Sequence, residues 1–175
     1  MAELPPGYRV RVARPDDAGA MRELRHAVLC EGGWFATLPS EQRATVAELR
    51  AALTAQLQQA NSLVLCAWSG ARLAGFVSIH GEPLARMAHV GRLEILLAAQ
   101  DRGHGLGTAL LAEAVARSAR GGVLRKLSLA VFADNAAALA LYRRVGFVEE
   151  GRRVGEYRME DGAPRDDVLM ALWVG

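Results

Sequence analysis

The chain is short of cysteine, of long apolar runs and of any surplus of charge, and each shortage removes a class of protein. Two cysteines, Cys30 and Cys66, stand in 175 residues. They cannot supply a disulfide framework or a cysteine metal cluster, so no metal is expected. Cys66 lies in the apolar run Leu63-Val64-Leu65-Cys66-Ala67 and reads as a core thiol. Cys30 ends a helical pattern, where a pocket-lining place is open to it, and no basic neighbour is evident to make it a nucleophile. Nothing approaches the roughly 20 apolar residues of a membrane span. Met1 to Tyr8 contains Pro5, Pro6 and Gly7 and lacks a signal peptide's apolar core. A flexible start over residues 1–8, a cytoplasmic location and no membrane partner are therefore expected. The 21 Lys and Arg against 19 Asp and Glu leave a formal charge of +2. The arginines are scattered, whereas a nucleic-acid surface clusters them, so no nucleic acid is expected. Arg22, Arg25, Arg43 and Arg50 read as solvated helix faces. No repeat or low-complexity tract divides the chain, which implies a single domain over 1–175 with enough length to bury a core.

What is present alternates between two periods. Arg9 to Ala13 alternates Arg and Val as a strand does. Pro15-Asp16-Asp17 opens a helix running to about Cys30. Gly32-Gly33 breaks it, and Trp34-Phe35 follows in a loop. A second helix is expected from Pro39-Ser40, with Val46, Leu49, Leu53 and Leu57 as its apolar stripe, ending at Asn61-Ser62. Leu63 to Ala67 and Leu73 to His80 read as a hairpin around Ser69-Gly70-Ala71. A strand follows over roughly His89 to Ala98, then a glycine-rich turn, then a helix from Leu106 to Ser118 carrying Leu110, Leu111, Ala114, Val115 and Ser118 on one face. Gly121-Gly122 closes that helix. Lys126 to Phe132 is a strand, and Asp134-Asn135 caps a helix ending near Val145-Gly146. Phe147 to Glu149 begins a strand, Gly151 to Asp166 is a polar segment with a turn at Glu160-Asp161-Gly162, and Asp167 to Val174 is the last strand. The order β-α-α-β-β-β-α-β-α-β-β implies an α/β sheet layered with helices.

Two segments carry chemistry. In Arg102-Gly103-His104-Gly105-Leu106-Gly107 the glycines lie between a strand and a helix. Glycine permits positive φ and close approach of a ligand, and a helix N-terminus presents unpaired N–H groups. Together they make an anion cradle, and Arg102 can add a charged contact. A P-loop would need Lys then Ser or Thr after the last glycine, but Thr108-Ala109 stands there. A dinucleotide turn would need an acid closing the next strand, which ends Leu129-Ala130-Val131-Phe132. In the second segment, Tyr142 follows Asn135 by seven residues, nearly the same helix face two turns on. A phenol held there can protonate a leaving thiolate. A cap at Asn135 and a core-edge Tyr142 are the plainer reading of that helix alone.

Taken together, the two segments resemble the GNAT family of N-acetyltransferases. Arg102, Gly105 and Gly107 match its phosphate motif; Asn135, Ala138, Tyr142, Gly146 and Phe147 match its later motif. The helix pair after the first strand also matches, as does the tail, where Asp161-Gly162 precedes Asp167 and Met170. The similarity covers nearly the whole chain and is nearest to the bacterial branch that acetylates amino acids or similar small amines; it extends to N-terminal protein acetyltransferases. It implies a mixed, mostly antiparallel sheet of about seven strands with about four helices, acetyl-CoA as co-substrate, and a homodimer as an open expectation. It also implies residue roles. The N–H groups of Arg102, Gly103, His104, Gly105, Leu106, Gly107 and Thr108 would hold the CoA pyrophosphate. The backbone of Ile95, Leu96 and Leu97 would pair with pantetheine, Asn135 and Ala138 would lie near its arm, and Tyr142 would protonate the thiolate.

An attacking amine must lose a proton. Glu94 and His89 are candidate bases on the strand before the turn, facing opposite ways unless a bulge intervenes; a water chain without a dedicated base is the third reading. Trp34, Phe35 and Tyr157 are the candidate acceptor residues. A noncatalytic acyl-CoA-binding module and an interaction domain without CoA are the alternatives to an enzyme.

Overall fold

A computed structural model describes residues 3–175 of the chain. Seven strands form one sheet: β1 (Tyr8–Val12), β2 (Leu63–Ser69), β3 (Arg72–Gly81), β4 (Val90–Leu97), β5 (Lys126–Phe132), β6 (Val148–Arg158) and β7 (Pro164–Trp173). Their order across the sheet is β1-β2-β3-β4-β5-β7-β6, and every neighbouring pair is antiparallel except β4 and β5. This is the mixed, mostly antiparallel sheet that the resemblance implies.

Four helices cover the sheet's two faces. Strand alternation splits the core accordingly. On one face Val64, Cys66, Phe76 and Leu96 pack against α1 (Ala18–Cys30) and α2 (Val46–Leu57). On the other, Leu65, Val77, Ile79 and Leu93 pack against α3 (Leu106–Gly121) and α4 (Ala136–Val145). The apolar face expected on α3 is the buried one, with Leu110, Leu111 and Ala114 wholly enclosed.

Several boundaries differ from the sequence reading. Pro39–Glu41 is a separate 3-10 turn, and α2 starts at Val46. The start is set by a capping box: Thr45 Oγ1 accepts from the Glu48 N–H at 3.2 Å, while the Glu48 carboxylate accepts from the Thr45 N–H at 2.8 Å. This reciprocal pair satisfies two of the backbone donors at the start of α2. The polar segment Gly151 to Asp166 is mostly strand: β6 runs to Arg158 and β7 begins at Pro164, because Arg152, Arg153, Tyr157 and Arg158 register against β7. At the start of the chain, Tyr8 already belongs to β1 and Leu4 packs on the core. Of the expected flexible stretch 1–8, residues 1 and 2 lie outside the described residues. Among the described residues no helix is long and apolar enough to cross a membrane.

Candidate active site

The parallel pair β4 and β5 is the opening in the fold. The two strands are registered only from Val90 to Arg92 against Lys126 to Ser128. Beyond that they separate, and a cleft of about 830 Å³ lies between Leu93–Leu97 on one side and Ala130–Phe132 on the other. The β4 edge there has no strand partner on its β5 side. Ala98 N–H bonds to the Ala74 carbonyl at 2.9 Å, and Leu97 is registered opposite Gly75. Antiparallel alternation then turns the backbone groups of Ile95 and Leu97 away from β3 and toward the cleft.

The glycine turn closes one end. Gly103 and Gly105 have φ of +77° and +84°, a region where a side chain is strained. These two left-handed residues let the chain leave β4 and enter α3 with its amides outward. Among the described residues, the N–H groups from Gly103 to Thr108 have no acceptor within the chain; the first paired amide of the helix is Ala109, bonded to the Gly105 carbonyl at 3.1 Å. Six consecutive free donors thus gather at the start of a 16-residue helix, an arrangement with the positive potential that favours an anion. Gly107 faces Leu97 and Leu141, and a Cβ there would meet Leu97 Cδ1 at 3.0 Å. Leu106 points the other way and is core, while His104 is exposed and lies outside the cleft lining.

A buried carboxylate pins this turn. Asp101, 2% exposed, accepts from both Arg72 terminal nitrogens at 2.6 and 2.9 Å and from the Tyr8 hydroxyl at 2.8 Å. The Arg72 hydrogen bonds hold its carboxyl below the usual range against the opposing effect of burial, with Tyr8 adding to the lowering. Arg102 is placed otherwise than the sequence reading expects. Its guanidinium donates to the Leu97 carbonyl at 3.0 and 2.7 Å and to Glu31 at 2.5 and 2.9 Å, so it ties the turn to the end of α1.

Asn135 caps α4, with its side-chain oxygen accepting from the Ala138 N–H at 3.1 Å. Tyr142 lies two turns on, buried beside Phe147, and lines the cleft. Among the described residues its hydroxyl has no hydrogen-bond partner. Burial, and then the charge of Glu94, push its pKa well above the ordinary tyrosine value.

Glu94 also lines the cleft, but both carboxylate oxygens are engaged by Arg25 of α1, one of them at 2.8 Å. Arg25 is thus no solvated helix face; its guanidinium also lies over Phe76 at 5.7 Å. No bulge interrupts the register of β4 with β3 from Gly91 to Leu97. His89 is not brought into the cleft. It precedes β4 at the end where β4 and β5 are still paired, and its ring stacks on Trp173 at 6.3 Å.

The far end of the cleft is lined by Trp34, Phe35, Phe132, Asp134, Tyr157 and Asp167. Tyr157 packs edge-on to Phe132 at 5.2 Å. Asp167, 1% exposed, is paired in bidentate fashion with Arg153, its Nε at 2.9 Å. The sequence reading placed Trp34, Phe35 and Tyr157 here. It gave no site role to Phe132, Asp134, Asp167 or Arg25, although it named Asp134 at a helix cap and Asp167 in the tail match. The cysteines take no part. Cys66 is buried, which pushes its thiol up to about 12, and Cys30 is exposed outside the lining, with the His26 ring nitrogen 3.6 Å from its sulfur.

Comparison with known proteins agrees with this arrangement. The chain is 33% identical over 163 residues to a mycothiol acetyltransferase of Salinispora arenicola, a match that covers 89% of this chain and 49% of the relative. It spans about half the length of the curated relatives it matches. Among solved structures it superposes on an acetyltransferase of the GNAT family from Streptococcus pneumoniae with a TM-score of 0.91 and 30% identity, covering 96% and 99% of the two chains. The fold also matches a putative acetyltransferase from Salmonella typhimurium solved with acetyl-CoA, with a TM-score of 0.85, 18% identity and coverage of 97% and 95%. The profile of the acetyltransferase (GNAT) family matches residues 29–147, so this chain belongs to that family.

Proposed function

We propose that the chain transfers the acetyl group of acetyl-CoA to the primary amine of a small molecule, by direct attack with both substrates bound. One observation carries the reading. A single cleft joins the glycine turn, where Gly103, Gly105, Gly107 and Thr108 line it, to the Tyr142 phenol and to an aromatic, carboxylate-bearing pocket. A donor with a pyrophosphate, an extended polar arm and a thioester fits that sequence of features. The amides of residues 103–108 would hold its pyrophosphate, and the backbone of Ile95 together with the Leu97 N–H would hydrogen-bond its arm, the Leu97 carbonyl being taken by Arg102.

Acetyl-CoA supplies an activated carbonyl carbon and a thiolate leaving group. The amine nitrogen bonds to that carbon, the carbon–sulfur bond breaks, and one proton leaves the nitrogen while one reaches the sulfur. Tyr142 is the proton donor in this reading. Its raised pKa keeps the phenol protonated until charge develops on the sulfur beside it. Glu94 is the carboxylate assigned to the amine proton, since it lines the cleft and its charge acts on Tyr142. Because Arg25 engages both its oxygens, transfer through a water is favoured over direct contact. The relatives named mycothiol acetyltransferases support a small-molecule acceptor, and a cytoplasmic location belongs to the same reading.

The test is free-thiol release on mixing the protein with acetyl-CoA and a panel of amines, amino acids and short peptides. Thiol release that depends on a small amine is expected. Release only with peptide N-termini would move the acceptor to proteins. CoA binding without turnover of any amine would make the chain a binding module.

A further inference from the structure

The segment between α1 and α2 walls the acceptor end through Trp34, Phe35 and Ala36. It has little of its own to hold it there. Among the described residues, the only hydrogen bond made by residues 33–37 is one that Arg165 of β7 donates to the Gly33 carbonyl, across 132 positions of sequence. The same guanidinium donates to Asp134 at 3.0 and 3.1 Å from Nε and at 2.7 Å from Nη2. It also lies over the Phe132 ring at 4.3 Å and the Trp34 ring at 5.5 Å. Its side chain is 15% exposed although Asp134 is 61% exposed. A screened ion pair with so open a carboxylate contributes little by itself. The shape of the group does the holding: a planar fork can satisfy a carboxylate and a carbonyl while its face packs on aromatic rings. Asp134 directly precedes Asn135, the cap of the helix that carries Tyr142. Arg165 itself does not line the cleft.

We infer that Arg165 is a positioning residue for the acceptor: it fastens the wall formed by residues 33–37 to the start of α4, and so sets the acceptor seat between Trp34 and Phe132 at a fixed distance from Tyr142. The inference rests on the acetyl-transfer reading for its kinetic consequence and on the contacts alone for its structural one. The pyrophosphate end of the donor site is independent of it, since the glycine turn is held by Asp101 and by Arg102.

Two variants test this, Arg165→Met and Arg165→Lys. Chymotrypsin cleavage at Trp34 and Phe35, followed by mass spectrometry, reads the wall directly. Cleavage in Arg165→Met should quicken about tenfold or more, because cutting tracks the population of the loosened segment. In the same variant the KM for the amine should rise about tenfold while the KM for acetyl-CoA moves less than about twofold. Arg165→Lys should recover only part of both effects, because an ammonium cannot engage Asp134 and Gly33 together while stacking. Unchanged cleavage in Arg165→Met overturns the inference, and so does faster cleavage with an unmoved amine KM. If Arg165→Met fails to fold, Arg165→Lys against wild type carries the same comparison. If wild type acetylates nothing, the functional reading fails, and the cleavage rates still decide whether Arg165 holds the wall.

Discussion

The two ends of the cleft are made of different materials. The donor end is backbone: six amides from one continuous stretch, shaped by glycines and supported from behind by Asp101. The acceptor end is side chain: Trp34 and Phe35 from a loop, Phe132 from β5, Tyr157 from β6 and Asp167 from β7. Its carboxylates each lean on an arginine distant in sequence or strand, Glu94 on Arg25, Asp134 on Arg165 and Asp167 on Arg153. Backbone recognition is generic for a pyrophosphate and tolerates most side chains around it. Side-chain recognition is particular to one ligand and changes with single substitutions.

That contrast can be broken or sharpened by mutation. The largest effect is expected where the ends meet. Tyr142→Phe removes a hydroxyl without a hydrogen-bond partner among the described residues, so stability and CoA affinity should hold while the chemical step, read by rapid quench, slows about 100-fold or more. In wild type the phenol is held above its ordinary value of 10.0. A basic limb of the rate profile below that pH must therefore belong to another group, and the same limb should persist in Tyr142→Phe. Next comes the acceptor wall. Trp34→Ala should raise the amine KM by about tenfold and leave CoA binding alone, the signature of lost uniform binding. An equal loss at both substrates would show that the two ends are not separable.

A smaller effect is expected in the support beneath the donor end. Asp101→Asn should lower stability by about 1–3 kcal/mol at neutral pH, by removing the charge that Arg72 and Tyr8 share. The sign of its pH dependence follows from the lowered carboxyl pKa. Its contribution is present above the ordinary aspartate value of 3.8 and is lost as pH falls through the folded-state value. Thermal melts should show a shallower acid loss in Asp101→Asn than in wild type.

The same contrast explains what could be read from the sequence. Gly103, Gly105, Asn135 and Tyr142 were legible because their jobs are local: a turn, a cap and a helix face are each written within a few residues. The mixed, mostly antiparallel sheet came through family resemblance, while the strand order and the parting of β4 from β5 were not read from the sequence, since no local pattern encodes them. The start of α2 was misplaced because Pro39 is a loud signal and the Thr45–Glu48 box a quiet one. Arg25 looked like a solvated helix residue because its partner stands 69 positions away, and the pairing of Arg165 with Asp134 was unread for the same reason. His89 failed as a site residue because distance along a strand, and not only its facing, decides which residues reach an opening.

The most direct test of the central claim is a calorimetric titration of CoA into Gly105→Glu. A side chain there is strained at φ +84° and puts a carboxylate among the free amides. The account predicts that the folded variant loses CoA affinity by about 100-fold or more, as befits a cradle refilled with negative charge. Binding as tight as that of wild type would contradict it, because the donor would then be held somewhere other than the glycine turn.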